Sequence, residues 1–189
     1  MRGRVAVSGP VSDTLKARIA ADFTLGGDWQ RSLTRPDDSV GQVERGALRA
    51  LVAWEPLSAL TVDLNLHGWY DKSDTQALQL TGFTPARPAN VGRLPQVFGS
   101  SFAPADPRAA DWTPGRDYGR NDRFMQAALK VGYDLTEGVR LRSISSYSDY
   151  RTRALLDRDG MVPVTFEVRT DGRIKSVYQE LRLSGEGAD

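Results

Sequence analysis

The sequence predicts an all-β chain, an antiparallel up-and-down meander of about seven long strands. Three observations predict it. Apolar and polar residues alternate with a period of two in run after run, while a helical period is hard to find. The best run is about twice the usual length of a soluble strand. The connections alternate short and long, which puts the tight turns at one end of the strands and the long loops at the other.

The elements follow in order. A short opening strand covers Arg4 to Ser8. From Leu15 the apolar set is Leu15, Ala17, Ile19, Ala21, Phe23 and Leu25, against Lys16, Arg18, Ala20, Asp22 and Thr24. The next run sets Leu48, Ala50, Val52 and Trp54 against Arg45, Ala47, Arg49 and Leu51. The third is the cleanest, with Leu60, Val62, Leu64 and Leu66 against Thr61, Asp63, Asn65 and His67. The fourth has Met125, Ala127, Leu129, Val131 and Tyr133 against Gln126, Ala128 and Lys130. The fifth runs from Val139 through Leu141 to Tyr147, with Arg140 and Arg142 opposite. The last places Val177, Leu181 and Leu183 against Tyr178, Glu180 and Arg182.

Residues 9–13, 55–59 and 134–138 read as five-residue turns, and roughly 26–41, 74–122 and 154–172 as long connections. A soluble sandwich has no reason to sort its loops this way. Outer-membrane barrels do, with short periplasmic turns and long extracellular loops. Strands of about 10 residues, tilted near 45°, suffice to cross the hydrocarbon. Trp54, Tyr70, Tyr133 and Tyr147 stand near strand ends, where interfacial aromatic girdles lie. The alternative is a soluble β-sandwich with these aromatics in its core, for example a carbohydrate-binding module.

Composition sets further bounds. The chain has 189 residues with a formal net charge of +1, which argues against general nucleic-acid binding. No cysteine is present, which excludes disulfides, thiolate catalysis and Cys-based zinc sites. No stretch approaches 18 apolar residues; the most apolar, Ala47 to Trp54, is broken by Arg49, so a transmembrane helix is excluded. A transmembrane barrel is not. Arg2 and Arg4 precede Val5-Ala6-Val7, but the apolar core of a secretory signal is missing. Two expectations stand open, a cytoplasmic protein or an internal fragment, and strand-like sequence at both ends favours the fragment.

Little here can carry chemistry. His67 is the single histidine and lies on a polar strand face, without a Gly-x-Ser-x-Gly elbow in the chain. A hydrogen-bonding role is expected of it, and an enzyme ranks last among the functions considered. Asp157-Arg158-Asp159-Gly160 has half the features of a calcium loop but lacks the third acidic ligand and the closing spacing, so it reads as a turn. No metal or cofactor is expected. Arg45, Arg49, Arg140 and Arg142, with Asp63 and Glu180, read as cross-strand pairs or solvated charges.

Residues 74–122 are the exception. They hold Pro85, Pro88, Pro95, Pro104, Pro107 and Pro114, with Phe98, Phe102, Trp112 and Tyr118 interspersed among Arg116, Asp117 and Arg120. Connections this long are usually functional or disordered. Aromatic and arginine side chains on a loop suit recognition of sugars or anionic chelates. Trp112, Arg116, Tyr118 and Arg120 are the candidate ligand-binding residues; the competing reading is a self-packed cap that excludes solvent.

Three segments resemble TonB-dependent outer-membrane receptors. Ser176-Val177-Tyr178-Gln179-Glu180-Leu181-Arg182-Leu183-Ser184 is similar to that family's F-x-Q-E-L-R-L-S strand. Leu141-Arg142-Ser143-Ile144-Ser145-Ser146-Tyr147 is similar to its L-x-S-I-T-x-Y strand, and Gly9-Pro10-Val11-Ser12-Asp13-Thr14-Leu15 to its G-P-L-S-D-x-L periplasmic turn. The resemblance spans nearly the whole chain, least in the long loop. It implies that residues 1–189 are part of a 22-stranded transmembrane β-barrel in a Gram-negative outer membrane, with 74–122 as an extracellular loop. The implied function is energy-coupled uptake of a scarce small ligand, commonly an iron–siderophore complex. The implied partners are outer-membrane lipid, the remaining strands and a plug domain, with TonB reached only through that plug. Neither a plug nor an energy-coupling box is recognisable in these residues.

Overall fold

A computed structural model of the chain describes residues 1–102 and 106–185; Ala103–Ala105 of the long loop and residues 186–189 lie outside the described residues. The elements in chain order are β1 (Arg2–Pro10), β2 (Leu15–Gly26), β3 (Gln30–Ser32), β4 (Ser39–Val40), β5 (Val43–Leu57), β6 (Leu60–Asp71), α1 (Ala89–Arg93), α2 (Pro95–Phe98), β7 (Ala109–Ala110), β8 (Asp122–Thr136), β9 (Val139–Asp157) and β10 (Glu167–Gly185). The seven long strands form one sheet in the order β1-β2-β5-β6-β8-β9-β10, with every neighbour antiparallel. This is the predicted meander. It does not close, because β1 and β10 stand at opposite ends of the sheet.

The tight connections join β1 to β2, β5 to β6 and β8 to β9, all at one end of the ladder. At the β8–β9 turn Gly138 has φ +78°, a left-handed conformation that glycine adopts without strain. Register shifts between Trp54 and Leu57 and between Asp134 and Thr136 place one irregularity beside each of two turns.

The third long connection is much shorter than predicted. Instead of 154–172 it is 158–166, because β9 and β10 continue in register to the pair Asp157–Glu167. Past Tyr147 both faces of β9 carry polar residues, so the period-two apolar signal disappears. Polar cross-strand pairs maintain the ladder there, among them Arg153–Asp171 at 3.3 Å and Arg173–Asp149 with Nε to Oδ1 at 2.9 Å. The first long connection holds β3 and β4, and the second holds α1, α2 and β7.

Directly opposed residues share a face of the sheet. One cross-strand row reads Val7–Ile19–Ala50–Leu66–Ala127–Tyr147–Val177, apolar across all seven strands. The rows nearer the turns add Leu15, Val52, Trp54, Val62, Leu64, Leu129, Val131, Tyr133, Leu141, Leu181 and Leu183 to the same face. This face is open to solvent: Val177 is 81% exposed, Val7 71% and Leu183 68%. Trp54 and Tyr133 mark its border near the turns and Tyr70 its border near the loops. From Trp54 to Gly46, the residue opposite Tyr70, the strand rises about 26 Å at roughly 3.3 Å per residue. Gly46 lets the Tyr70 ring lie over it, since an added Cβ would come within 2.5 Å of Cε1 and push the ring aside.

The opposite face is mixed. A row one step along reads Ser8–Arg18–Leu51–Asn65–Ala128–Ser146–Tyr178. Among the described residues the buried apolar core does not lie on the sheet. It consists of Ala77, Ala110, Trp112 and Tyr118 in the long loop, with Val40 of the first connection and Leu155 from the loop end of β9 packed against it.

Candidate functional site

The three long connections are stitched into one cluster by polar groups that substitute for regular strand pairing. β3 pairs antiparallel with β4 and parallel with β7, so the first and second connections share a small three-stranded sheet. Asp111, just after β7, is 2% exposed. Its Oδ1 accepts from Ser32 Oγ at 2.7 Å, from the Leu33 and Thr34 amides at 3.1 and 3.2 Å, and from Thr34 Oγ1 at 3.1 Å. A buried carboxylate is tolerated when it is surrounded by donors in this way. Asp74 Oδ2 takes the amides of Gly41 and Gln42, both at 3.0 Å.

The third connection is a turn built by its own carboxylates. Asp157 Oδ1 accepts the Asp159 and Gly160 amides at 3.2 and 2.7 Å. Asp159 accepts the Met161 amide with one oxygen, and the Thr165 and Phe166 amides and the Thr165 hydroxyl with the other. These oxygens are therefore committed to the backbone. Among the described residues no group of three or more metal-ligating side chains is gathered. Gly160 has φ +67°, and a Cβ there would meet the Leu78 carbonyl oxygen at 2.5 Å, so the turn seats directly on the long loop.

The four candidate residues divide into two kinds. Trp112 and Tyr118 are 2% and 4% exposed and pack in the loop core. The Arg35 guanidinium lies 5.5 Å from the Trp112 ring centre and donates to the Trp112 carbonyl at 2.9 Å. Arg116 and Tyr118 converge on Glu167 at the start of β10: the Tyr118 hydroxyl donates to Oε1 at 2.6 Å, and Arg116 Nε lies 3.4 Å from the same oxygen. Burial, followed by that bond to Glu167, holds the Tyr118 hydroxyl above its ordinary pKa. Arg120 turns instead toward Asp71, 3.9 Å away, which also pairs with Arg45 at 3.0 Å. Among the four, the side chain of Arg116 is the most accessible, at 49%.

Two aromatic groups complete the cluster. Phe83 packs against Phe98 and Phe102 with ring centres 5.1 and 5.6 Å apart, and Phe102 is 52% exposed, which forms an aromatic knob beside α1 and α2. The other group lies on the mixed face of the sheet, where Trp69–Phe124–Tyr150 form one cross-strand row. Trp69 stacks on Phe124 at 6.0 Å and lies 5.9 Å from Tyr150, with His67 edge-on to Phe124 at 5.8 Å. Period-two alternation of apolar residues does not distinguish this row from its polar neighbours. The available signal was three aromatics at the polar parity of three consecutive long strands. His67 thus sits with aromatic rings, between Arg49 and Gln126 in its row.

The arrangement offers a capped end with accessible arginine and aromatic groups above a polar wall. Arg116 offers an accessible guanidinium fork there and Phe102 an exposed ring. Comparison with protein-family models, curated proteins and solved structures finds no match.

Proposed function

We propose that the chain forms seven strands of the wall of a TonB-dependent receptor barrel in a Gram-negative outer membrane. It takes part in energy-coupled uptake of a scarce ligand, foremost an iron–siderophore complex. The observation that carries this reading is the uncovered apolar face. It runs across all seven strands, extends about 26 Å along β5 between its aromatic borders and ends below a cap built from the long loops and the adjoining strand ends. The open ladder edges of β1 and β10 fit a sheet continued by further strands of a larger barrel. The cap then faces outward and meets the ligand, while contact with TonB runs through a plug that is not among these residues.

The test is partition of the full chain, refolded from denaturant, between plain buffer, detergent micelles and lipid vesicles. The expected outcome is folding only with detergent or lipid and flotation with the vesicles. A monomeric, cooperatively unfolding species in plain buffer would overturn the reading and favour the β-sandwich carbohydrate-binding module.

A further inference from the structure

Beyond Tyr147 and Val177 the apolar face gives way abruptly to positive charge. The last wholly apolar row of this part of the sheet is Ala127–Tyr147–Val177. The next row is Met125–Asp149–Lys175, and the one after it is Arg123–Arg151–Arg173. Three arginines thus stand directly opposite one another on adjacent strands. Like charges in such positions repel, and the arrangement is destabilising without a counter-charge. Only Asp149 supplies one within these two rows. Arg173 grips it with both Nε and Nη2, and Arg151 Nε lies 3.8 Å from it. Arg123 bonds the side-chain oxygen of Asn121 at 3.1 Å. Arg153 and Asp171, on the loop side, pair with each other and leave the balance unchanged. Four cations therefore share one carboxylate, and the Arg151 side chain remains 57% exposed.

We infer that this patch binds the phosphate of an anionic bilayer lipid. The inference rests on the membrane reading above and names the headgroup that the wall selects. From Tyr147 to Arg151 the strand rises about 13 Å at roughly 3.3 Å per residue, and the long arginine side chains reach farther still. The patch therefore stands at headgroup height above an apolar wall. Val177, 81% exposed, lies directly below Lys175, and Met125, 53% exposed, directly below Arg123, to receive acyl chains. A guanidinium fork presents paired donors that match phosphate oxygens, so a phosphate bridging Arg123, Arg151 and Lys175 would relieve the repulsion along the row. The position distinguishes a lipid from a soluble anion, because only a lipid satisfies charge and apolar surface together.

The test titrates the detergent-solubilised full chain with phosphatidylglycerol, phosphatidylcholine or inorganic phosphate and counts bound molecules by native mass spectrometry. The variant is Arg123→Gln with Lys175→Gln, which removes two charges and leaves the arginines on Asp149 in place. Its control is Arg18→Gln with Arg49→Gln, which removes the same charge from the other face. Phosphatidylglycerol should bind more tightly than phosphatidylcholine. The first variant should lose roughly 10- to 30-fold of that affinity, and the control should lose little. Equal binding of both lipids, equal losses in the two variants, or inorganic phosphate binding as tightly as the lipid would each overturn the inference. Folding in plain buffer with no partition into vesicles of any composition would instead overturn the membrane reading itself.

Discussion

Gln30 and Ala77, 47 positions apart, are joined at both ends of one carboxamide. Gln30 Nε2 donates to the Ala77 carbonyl at 2.9 Å, and Gln30 Oε1 accepts the Ala77 amide at 3.0 Å. A side chain here takes the place of a neighbouring strand, and it lets the start of the long loop be buried without leaving its backbone unpaired. Gln30→Ala should leave both Ala77 groups without partners, at a cost of about 1–3 kcal/mol. Hydrogen exchange at Ala77 should quicken, while amides in β6 and β8 keep their protection. Unchanged exchange at Ala77 would show that this clamp does not hold the loop.

Register is tested by neighbours on β5. Ala50 lies on the apolar face between Ile19 and Leu66, whereas Leu51 faces the other way, between Arg18 and Asn65. In a bilayer Ala50→Arg should cost about 2–4 kcal/mol near the midplane, and Leu51→Arg much less. Urea unfolding from lipid vesicles measures both. Equal costs would contradict the membrane assignment.

Asp157, at the loop end of β9 and well past the apolar face, is 2% exposed, and its Oδ2 has no hydrogen-bond partner among the described residues. Burial pushes its carboxyl above the usual range against the pull of the Gly160 amide. The folded state therefore binds this proton more tightly than the unfolded chain. The loop cluster should gain stability as pH falls through the raised folded value, and the gain should level off below the ordinary value near 3.9. Asp157→Asn keeps the acceptor used by Gly160 and should remove this dependence. Limited proteolysis of the 158–166 turn between about pH 4 and pH 7 would reveal it. A variant as pH-sensitive as the parent would assign the effect to another group.

Trp112 and Arg116 should fail in different ways. Arg116→Ala removes an accessible charge and should weaken ligand binding by about 1 to 3 kcal/mol, with loop protection unchanged. Trp112→Ala empties the loop core and should cost about 3–5 kcal/mol of loop stability, so any loss of binding would come with faster loop proteolysis. Binding to cells displaying each variant at matched surface level, measured beside protease sensitivity, separates the two. Full affinity in Arg116→Ala would move the contact elsewhere, with the Phe83–Phe98–Phe102 knob the next place to probe.

The meander was legible from the sequence because alternation is a local property. Leu60 through Leu66 announce their face by parity alone, and five-residue turns leave little choice of strand partner. The ends of β9 and β10 were not legible, since residues such as Thr152 and Arg153 owe their place in the ladder to partners across it. The loop cluster was hidden for a related reason. Trp112 and Arg116 look equally suited to a ligand in a one-dimensional string, and only the folded chain shows that Trp112 is enclosed by Ala77, Ala110 and Arg35 while Arg116 stays accessible beside Glu167. The sequence by itself determined which residues alternate and where the chain must turn, because those depend on neighbours along the backbone. Only the tertiary structure decided which arginines stand in one row and which aromatics are buried, because those depend on register between strands distant in sequence.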